Sequence, residues 1–211
     1  MVTAAGIAPD RVVTISAGVD GERFHPGVSG TAVRKELGLG EAPVVGLVAN
    51  VRGSKGHNVF LEAARSVIAS KPEARFLIVG DGVGFDEVSR RVREMSLDTS
   101  VCLTGFRRDI PEVMAALDVL VLPSIRSEAI PQVIPQALAV GTPVVASTVG
   151  GSPELIRDGE NGRLVPPAIR ARWRTRSWRC SASLIAHARW RGPARRWCAS
   201  GTRSTRRWRG P

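Results

Sequence analysis

Two short runs of this sequence gather groups able to hold an anionic, polyhydroxylated ligand. The first is Arg52-Gly53-Ser54-Lys55-Gly56-His57, which follows an apolar strand-like run and opens a helical one. Arg52 and Lys55 supply two cations, the glycines permit close backbone approach, and a helix N-terminus adds a partial charge favourable to anions. A plain strand-to-helix turn with two solvated cations accounts for the same residues. The second run extends from Ser124 to Val145 and reads as a polar loop, an amphipathic helix and a buried strand. Pro135 lacks an N–H and would break a helix interior, so the helix should start near Gln132 or Val133. Glu128 to Pro131 then lie in the loop before it, where free amides can face a phosphate. Glu128 is a carboxylate in that loop, and it reads equally as a solvated acid or a helix N-terminal charge. Gln136 is neutral and can both accept and donate a hydrogen bond.

Two further loops follow strand-like runs. Gly80-Asp81-Gly82 is either a tight turn in which glycine supplies a positive φ or part of the lining of a ligand site. Gly105-Phe106-Arg107-Arg108-Asp109-Ile110-Pro111 reads as a capped helix start, with Asp109 as N-cap and Pro111 near the first helical position. That reading explains its residues fully, so no side-chain chemistry is expected there. Glu154 is a first-turn acid rather than a catalyst. No G-x-G-x-x-G follows the first core strand, so the fingerprint of dinucleotide binding is missing.

These loops need a scaffold, and the pattern between residues 44 and 166 specifies one. Strand-like runs at 43–49, 75–79, 101–104, 118–123, 143–147 and 163–165 alternate with helical periodicity at 58–70, 85–95, 110–117, 132–140 and 153–157. Strands apolar on both faces and separated by helical crossovers predict a parallel sheet covered on both sides, a doubly wound α/β domain. Ligands in such sheets bind outside the carboxyl ends of the strands. Residues 1–40 read as a crossover segment, with a strand at 10–15 followed by a turn and linker. Residues 41–167 form the ligand-binding Rossmann-like domain.

The chain has 211 residues and a formal charge of +11, which at first suggests a nucleic-acid binder. The charge is not spread evenly. Residues 168–211 hold 13 arginines, no lysine and no acid, so the first 167 residues carry 17 basic against 19 acidic side chains. The basic character belongs to the tail alone, and no nucleic-acid partner is expected. The tail also contains all five tryptophans and two of the three cysteines, Cys180 and Cys198, and sustains no periodicity. It reads as an unstructured stretch with three readings open: a basic aromatic arm, a solvated tail, or out-of-frame translation of a GC-rich gene. Three widely spaced cysteines make neither a disulfide framework nor a metal site, and Cys102 is most simply a small core residue. No signal peptide and no membrane-spanning run is evident. The expected location is cytoplasmic, with a peripheral position at the inner face of a membrane left open.

The residues quoted above resemble the nucleotide-sugar site of retaining GT-B glycosyltransferases of family 4, the group 1 sugar transferases. That site carries two acidic residues with seven residues between them. Glu128 takes the first place, and Gln136 stands in the second. The endings Gly150-Gly151-Ser152-Pro153-Glu154 and Glu160-Asn161-Gly162 also match, and Gly18-Val19-Asp20 with Arg23-Phe24-His25-Pro26 is similar to the crossover into the donor-binding half. The commoner pattern has Arg five residues before the Lys, where this chain has Asn50. The R-G-x-K-G-H form resembles a lipopolysaccharide-type branch, in keeping with lipopolysaccharide or polysaccharide biosynthesis. The resemblance covers roughly residues 6–167, and its abrupt end at Pro167 favours the out-of-frame reading of the tail.

What the resemblance implies can be stated residue by residue. Arg52 and Lys55 bind the donor diphosphate. Glu128 faces the transferring sugar as the catalytic residue, and Gln136, with Ile130, contacts the donor ribose and sugar. Gly80, Asp81 and Gly105 lie in loops near the nucleotide. The implied reaction transfers a glycosyl group, with retention, from a nucleoside diphosphate sugar to a carbohydrate or lipid-linked acceptor. The acceptor is bound by an N-terminal domain that this truncated chain starts too late to contain, so the chain alone is expected to be inactive. No D-x-D occurs, so no metal is expected. Charge on the leaving phosphate would be stabilised by Arg52, Lys55 and backbone dipoles. The alternatives are a non-catalytic nucleotide-sugar-binding fragment and a sugar-nucleotide epimerase of the same fold.

Overall fold

The apolar runs become strands β1 (Val44–Val48), β2 (Arg75–Val79), β3 (Val101–Leu103), β4 (Val119–Leu122), β5 (Val144–Ser147) and β6 (Gly162–Val165). The helical runs become α2 (His57–Ile68), α3 (Phe85–Glu94), α4 (Ile110–Ala116), α5 (Val133–Val140) and α6 (Ser152–Leu155), preceded by a short α1 (Thr31–Glu36). The computed structural model describes residues 18–126 and 129–167. The strand expected at 10–15 and the tail from 168 onward lie outside the described residues.

All neighbouring strands run parallel, in the order β3-β2-β1-β4-β5-β6. This is the doubly wound, Rossmann-like α/β sheet the alternation predicts. The winding reverses between β1 and β4, so the crevice for a ligand opens at the carboxyl ends around them. β1, β4 and β5 are buried along their whole length, which is why they read as unbroken apolar runs rather than alternating ones.

Successive side chains feed two cores, one on each face of the sheet. Val44 and Val48 join Leu120 and Leu122 against Val33 of α1, Met114 of α4 and Ile134 of α5. Val45 and Leu47 join Phe76 and Ile78 against Phe60, Leu61, Ala64 and Val67 of α2 and Val88 and Val92 of α3. Phe60 meets Phe76 edge to face at 5.6 Å. Burying a side chain of this size contributes about 1.5–3 kcal/mol. Cys102 is half-buried on the short edge strand β3 and packs beside the first core rather than within it.

Helix α1 is an element the sequence reading of residues 1–40 did not name. It has six residues and one buried side chain, Val33, too little periodicity to register in the sequence. Tertiary bonds hold it instead. Arg34 donates to the carbonyls of Gly40, Ala42 and Ala116 and pairs with Asp118 at 2.8 Å. The same Asp118 oxygen accepts the Val44 amide at 2.9 Å, so the start of β1 is tied to the start of β4.

Candidate functional site

The loops after β1, β2 and β3 are knitted together by their backbones. The Ala49 amide donates to the Val79 carbonyl, the Val51 amide to the Asp81 carbonyl at 2.9 Å, and the Gly80 amide to the Gly105 carbonyl at 2.8 Å. Gly80 has φ +135°, and a Cβ there would stand 2.0 Å from the Ala49 carbonyl oxygen. Only glycine lets these two loops approach so closely. The convergence leaves a cavity of about 780 Å³, a size suited to a small molecule. It is lined by the carboxyl ends of β1 and β2, by Asn50 and the turn from Gly80 to Val83, and by Phe106, Arg107, Ile110 and Val133. Val83 and Phe106 are large apolar side chains left 98% and 71% exposed at this cavity.

The cationic loop stands beside it. Arg52 is exposed, and its Nε donates at 3.0 Å to the side-chain oxygen of Asn50, a cavity-lining residue. Gly53–Lys55 form a single 3₁₀ turn closed by the Lys55 amide on the Arg52 carbonyl. Gly56 is left-handed at φ +76°, and a Cβ would fall 2.0 Å from the Pro123 carbonyl oxygen. The glycine therefore seats the turn against the end of β4 and starts α2. Lys55 is half-buried and is not part of the cavity lining.

His57 completes the motif in a way its sequence context did not signal. The ring is 3% exposed, and among the described residues neither nitrogen has a hydrogen-bond partner. Burial pushes its pKa down to about 4. The Arg52 carbonyl, near the ring but outside hydrogen-bonding geometry, favours the charged form, and the Lys55 cation disfavours it. His57 is thus a neutral ring packed under a cationic loop.

Helix α5 begins at Val133, as Pro135 requires, and buries Ile134, Ala137 and Val140. Its first residue reaches the cavity, and Gln136 lies half-buried one turn further along. Ile130 is half-buried in the loop before the helix, where the Ala129 carbonyl accepts the Gly151 amide at 2.8 Å. Glu128 lies outside the described residues, together with Ser127. Of the sequence-predicted residues, Gly80 and Asp81 line the cavity, while Gly105 and Arg52 are each one hydrogen bond from a lining residue. The Asp81 carboxylate turns back to its own loop and accepts the Gly82 amide at 2.6 Å.

The loop after β3 requires a correction. Asp109 occupies the N-cap position of α4, with Pro111 in the first turn, but its side chain makes no capping bond. Its carboxylate accepts Arg107 Nε at 2.8 Å and Nη2 at 2.6 Å. The two remaining Arg107 contacts go to Glu36 of α1, from Nη1 at 2.6 Å and Nη2 at 2.8 Å. A two-bond fork between two ionised groups is stronger than the single carboxylate-to-amide cap bond it replaces. The hydrogen bonds to Glu36 and then Asp109 hold the guanidinium fully charged, and Arg107 in turn keeps both carboxyls below their usual range. Glu36 is 71 residues from Arg107, and no sequence signal links them.

The family model described as glycosyl transferases group 1 matches residues 42–174. The chain belongs to this family. The match runs past Pro167, where the resemblance ends on the sequence reading. Among group 1 relatives, the chain is 33% identical over 164 residues to the UDP-Gal:alpha-D-GlcNAc-diphosphoundecaprenol alpha-1,3-galactosyltransferase of Escherichia coli, over 75% of this chain and 42% of that protein. It thus spans about two fifths of that relative's length. The Anabaena protein HepE in complex with UDP-glucose superposes with a TM-score of 0.77 at 26% identity, over 94% of this chain and 55% of that one. The C-terminal domain of the group 1 glycosyltransferase LpcC from Francisella tularensis gives a TM-score of 0.70 at 26% identity, over 87% of this chain and 98% of that domain. Among the described residues no helix is long and apolar enough to cross a membrane.

Proposed function

We propose that this chain is the donor-binding half of a retaining GT-B glycosyltransferase and holds a nucleoside diphosphate sugar for transfer to a carbohydrate or lipid-linked acceptor. The observation that carries the reading is the cavity at the carboxyl ends of β1 and β2 with a cationic turn joined to its lining through Asn50. The apolar surface of Val83, Phe106 and Ile110 suits a nucleobase. Arg52 and Lys55 supply the charge that two phosphates require, and the charge that develops on the leaving diphosphate is stabilised by the same two cations. Gln136 accepts and donates to the ribose diol without adding a negative charge beside the phosphates. Glu128 takes the role of partner to the transferring sugar, and Ile130 that of a donor contact. The UDP-glucose carried by the similar HepE structure supports a uridine donor, and the likeness to the C-terminal domain of LpcC supports the C-terminal placement. The acceptor is held by a second domain of the whole enzyme, because transfer needs both substrates close and aligned. The 211 residues by themselves then bind donor without transferring it.

Calorimetry with UDP and UDP-glucose tests this assignment. Lys55→Ala removes a charge-assisted contact worth about 1.5–3 kcal/mol, so both ligands should bind roughly ten- to hundredfold more weakly. Glu128→Ala should weaken UDP-glucose and spare UDP, and Gln136→Glu should be tolerated. Equal losses on both ligands in the Lys55 and Glu128 variants would refute the division of roles. A folded chain that binds neither ligand would refute the donor site.

A further inference from the structure

Phe106 forms part of the cavity wall, yet with 71% of its surface exposed it has no burial of its own to hold it in place. Its neighbours are both tied down. On one side the Gly105 carbonyl accepts the Gly80 amide at 2.8 Å and the Thr104 hydroxyl at 3.0 Å. On the other, Arg107 is forked between two carboxylates, Asp109 of its own loop and Glu36 of α1. These contacts use four of the five guanidinium N–H donors. The Arg107 side chain is only 13% exposed, whereas Glu36 is 54% exposed. The trio carries one positive and two negative charges, so this end of the cavity does not attract a phosphate, unlike the Arg52 and Lys55 end.

We propose that Arg107 is a positioning residue, held by Glu36 and Asp109 in a latch that fixes the Phe106 wall of the donor cavity and withholds its own charge from the ligand. The inference rests on the donor-binding reading above. It makes helix α1, which precedes the sheet in the chain, a determinant of donor affinity although it contributes nothing to the cavity lining.

The test is calorimetry with UDP on the full 211-residue chain, with thermal unfolding of each variant alongside. Glu36→Gln keeps the shape but loses the charge that grips Arg107, and UDP should bind about three- to tenfold more weakly with little change in Tm. Arg107→Lys keeps the charge but cannot fork two carboxylates, so it should lose as much affinity as Arg107→Ala. The double variant Glu36→Gln with Arg107→Ala should be no weaker than Arg107→Ala alone. Glu36→Gln, at an exposed side chain, keeps the test open if Arg107→Ala fails to fold. The latch is overturned if Arg107→Lys retains wild-type affinity, or if Glu36→Gln leaves UDP binding unchanged or tightens it by freeing the guanidinium. A folded wild-type chain that binds no UDP overturns the donor reading and the latch with it. A wild-type chain that binds UDP beside an unaffected Glu36→Gln overturns the latch alone.

Discussion

Arg52 Nε donates to the side-chain oxygen of Asn50 at 3.0 Å. Asn50 lines the cavity and Arg52 does not, so the bond draws an exposed cation toward the place where a phosphate would sit. Asn50 occupies the position where the commoner family pattern has arginine. On the proposed donor reading, Arg52 supplies that charge from two residues along the loop, and the Asn50 side-chain oxygen orients it.

Exchanging these two residues gives a first prediction. Asn50→Ala leaves the Arg52 charge but frees its rotamers, so nucleotide affinity should fall about two- to fivefold, and Arg52→Ala should cost about tenfold. Asn50→Arg combined with Arg52→Ala should recover most of the loss, because the charge returns at the commoner position. Calorimetry with UDP across the set would decide it. A double variant as weak as Arg52→Ala would show that the site requires the charge at position 52.

The close approach of the β1 and β2 loops gives a second. Gly80→Ala must place a Cβ 2.0 Å from the Ala49 carbonyl oxygen at a φ of +135°. The backbone has to shift, at a cost of about 2–4 kcal/mol in stability. Because Gly80 and Asp81 line the cavity, UDP binding should weaken in the same variant. Urea unfolding checks the first effect, and wild-type stability in Gly80→Ala would contradict the geometry.

His57 gives a third, through pH. Its folded pKa is depressed to about 4 from 6.5, so between those values the unfolded chain binds the proton that the folded chain refuses. Stability is therefore full above pH 6.5, falls as pH drops through the window and levels off near pH 4. At 1.36 kcal/mol per unit, the loss is about 3 kcal/mol. Glu36 and Asp109, held low by Arg107, begin to lose their contribution only as pH falls below the ordinary values of 4.5 and 3.8, so the range above pH 4.5 belongs to His57. Urea unfolding of the wild type and of His57→Leu from pH 7 to 4.5 should show a slope in the first that is much flatter in the second. Parallel profiles would overturn the assignment.

The strand and helix alternation from 44 to 165 was legible because it depends on local properties. Val119 to Leu122 form an unbroken apolar run, Phe60, Ala64 and Val67 recur at helical spacing, and Pro135 sets where α5 can begin. These patterns predict the parallel sheet and place Arg52, Lys55, Gly80 and Gln136 after strands or at helix starts, where a ligand could meet them. What lay beyond the sequence is contact between distant segments. Nothing local joins Gly80 to Gly105, Arg34 to Asp118, or Arg107 to a glutamate 71 residues away. The fork explains why the expected cap at Asp109 is absent, since a carboxylate that could cap its own helix binds more strongly to an arginine held in place from elsewhere. The burial of His57 is likewise decided by what packs over it. Periodicity and turn chemistry are written residue by residue, so the sequence by itself determined the elements and the ends at which chemistry could occur. The cavity wall, the latch and the neutral histidine follow from strand order and packing, which bring distant segments together, and only the tertiary structure decided them.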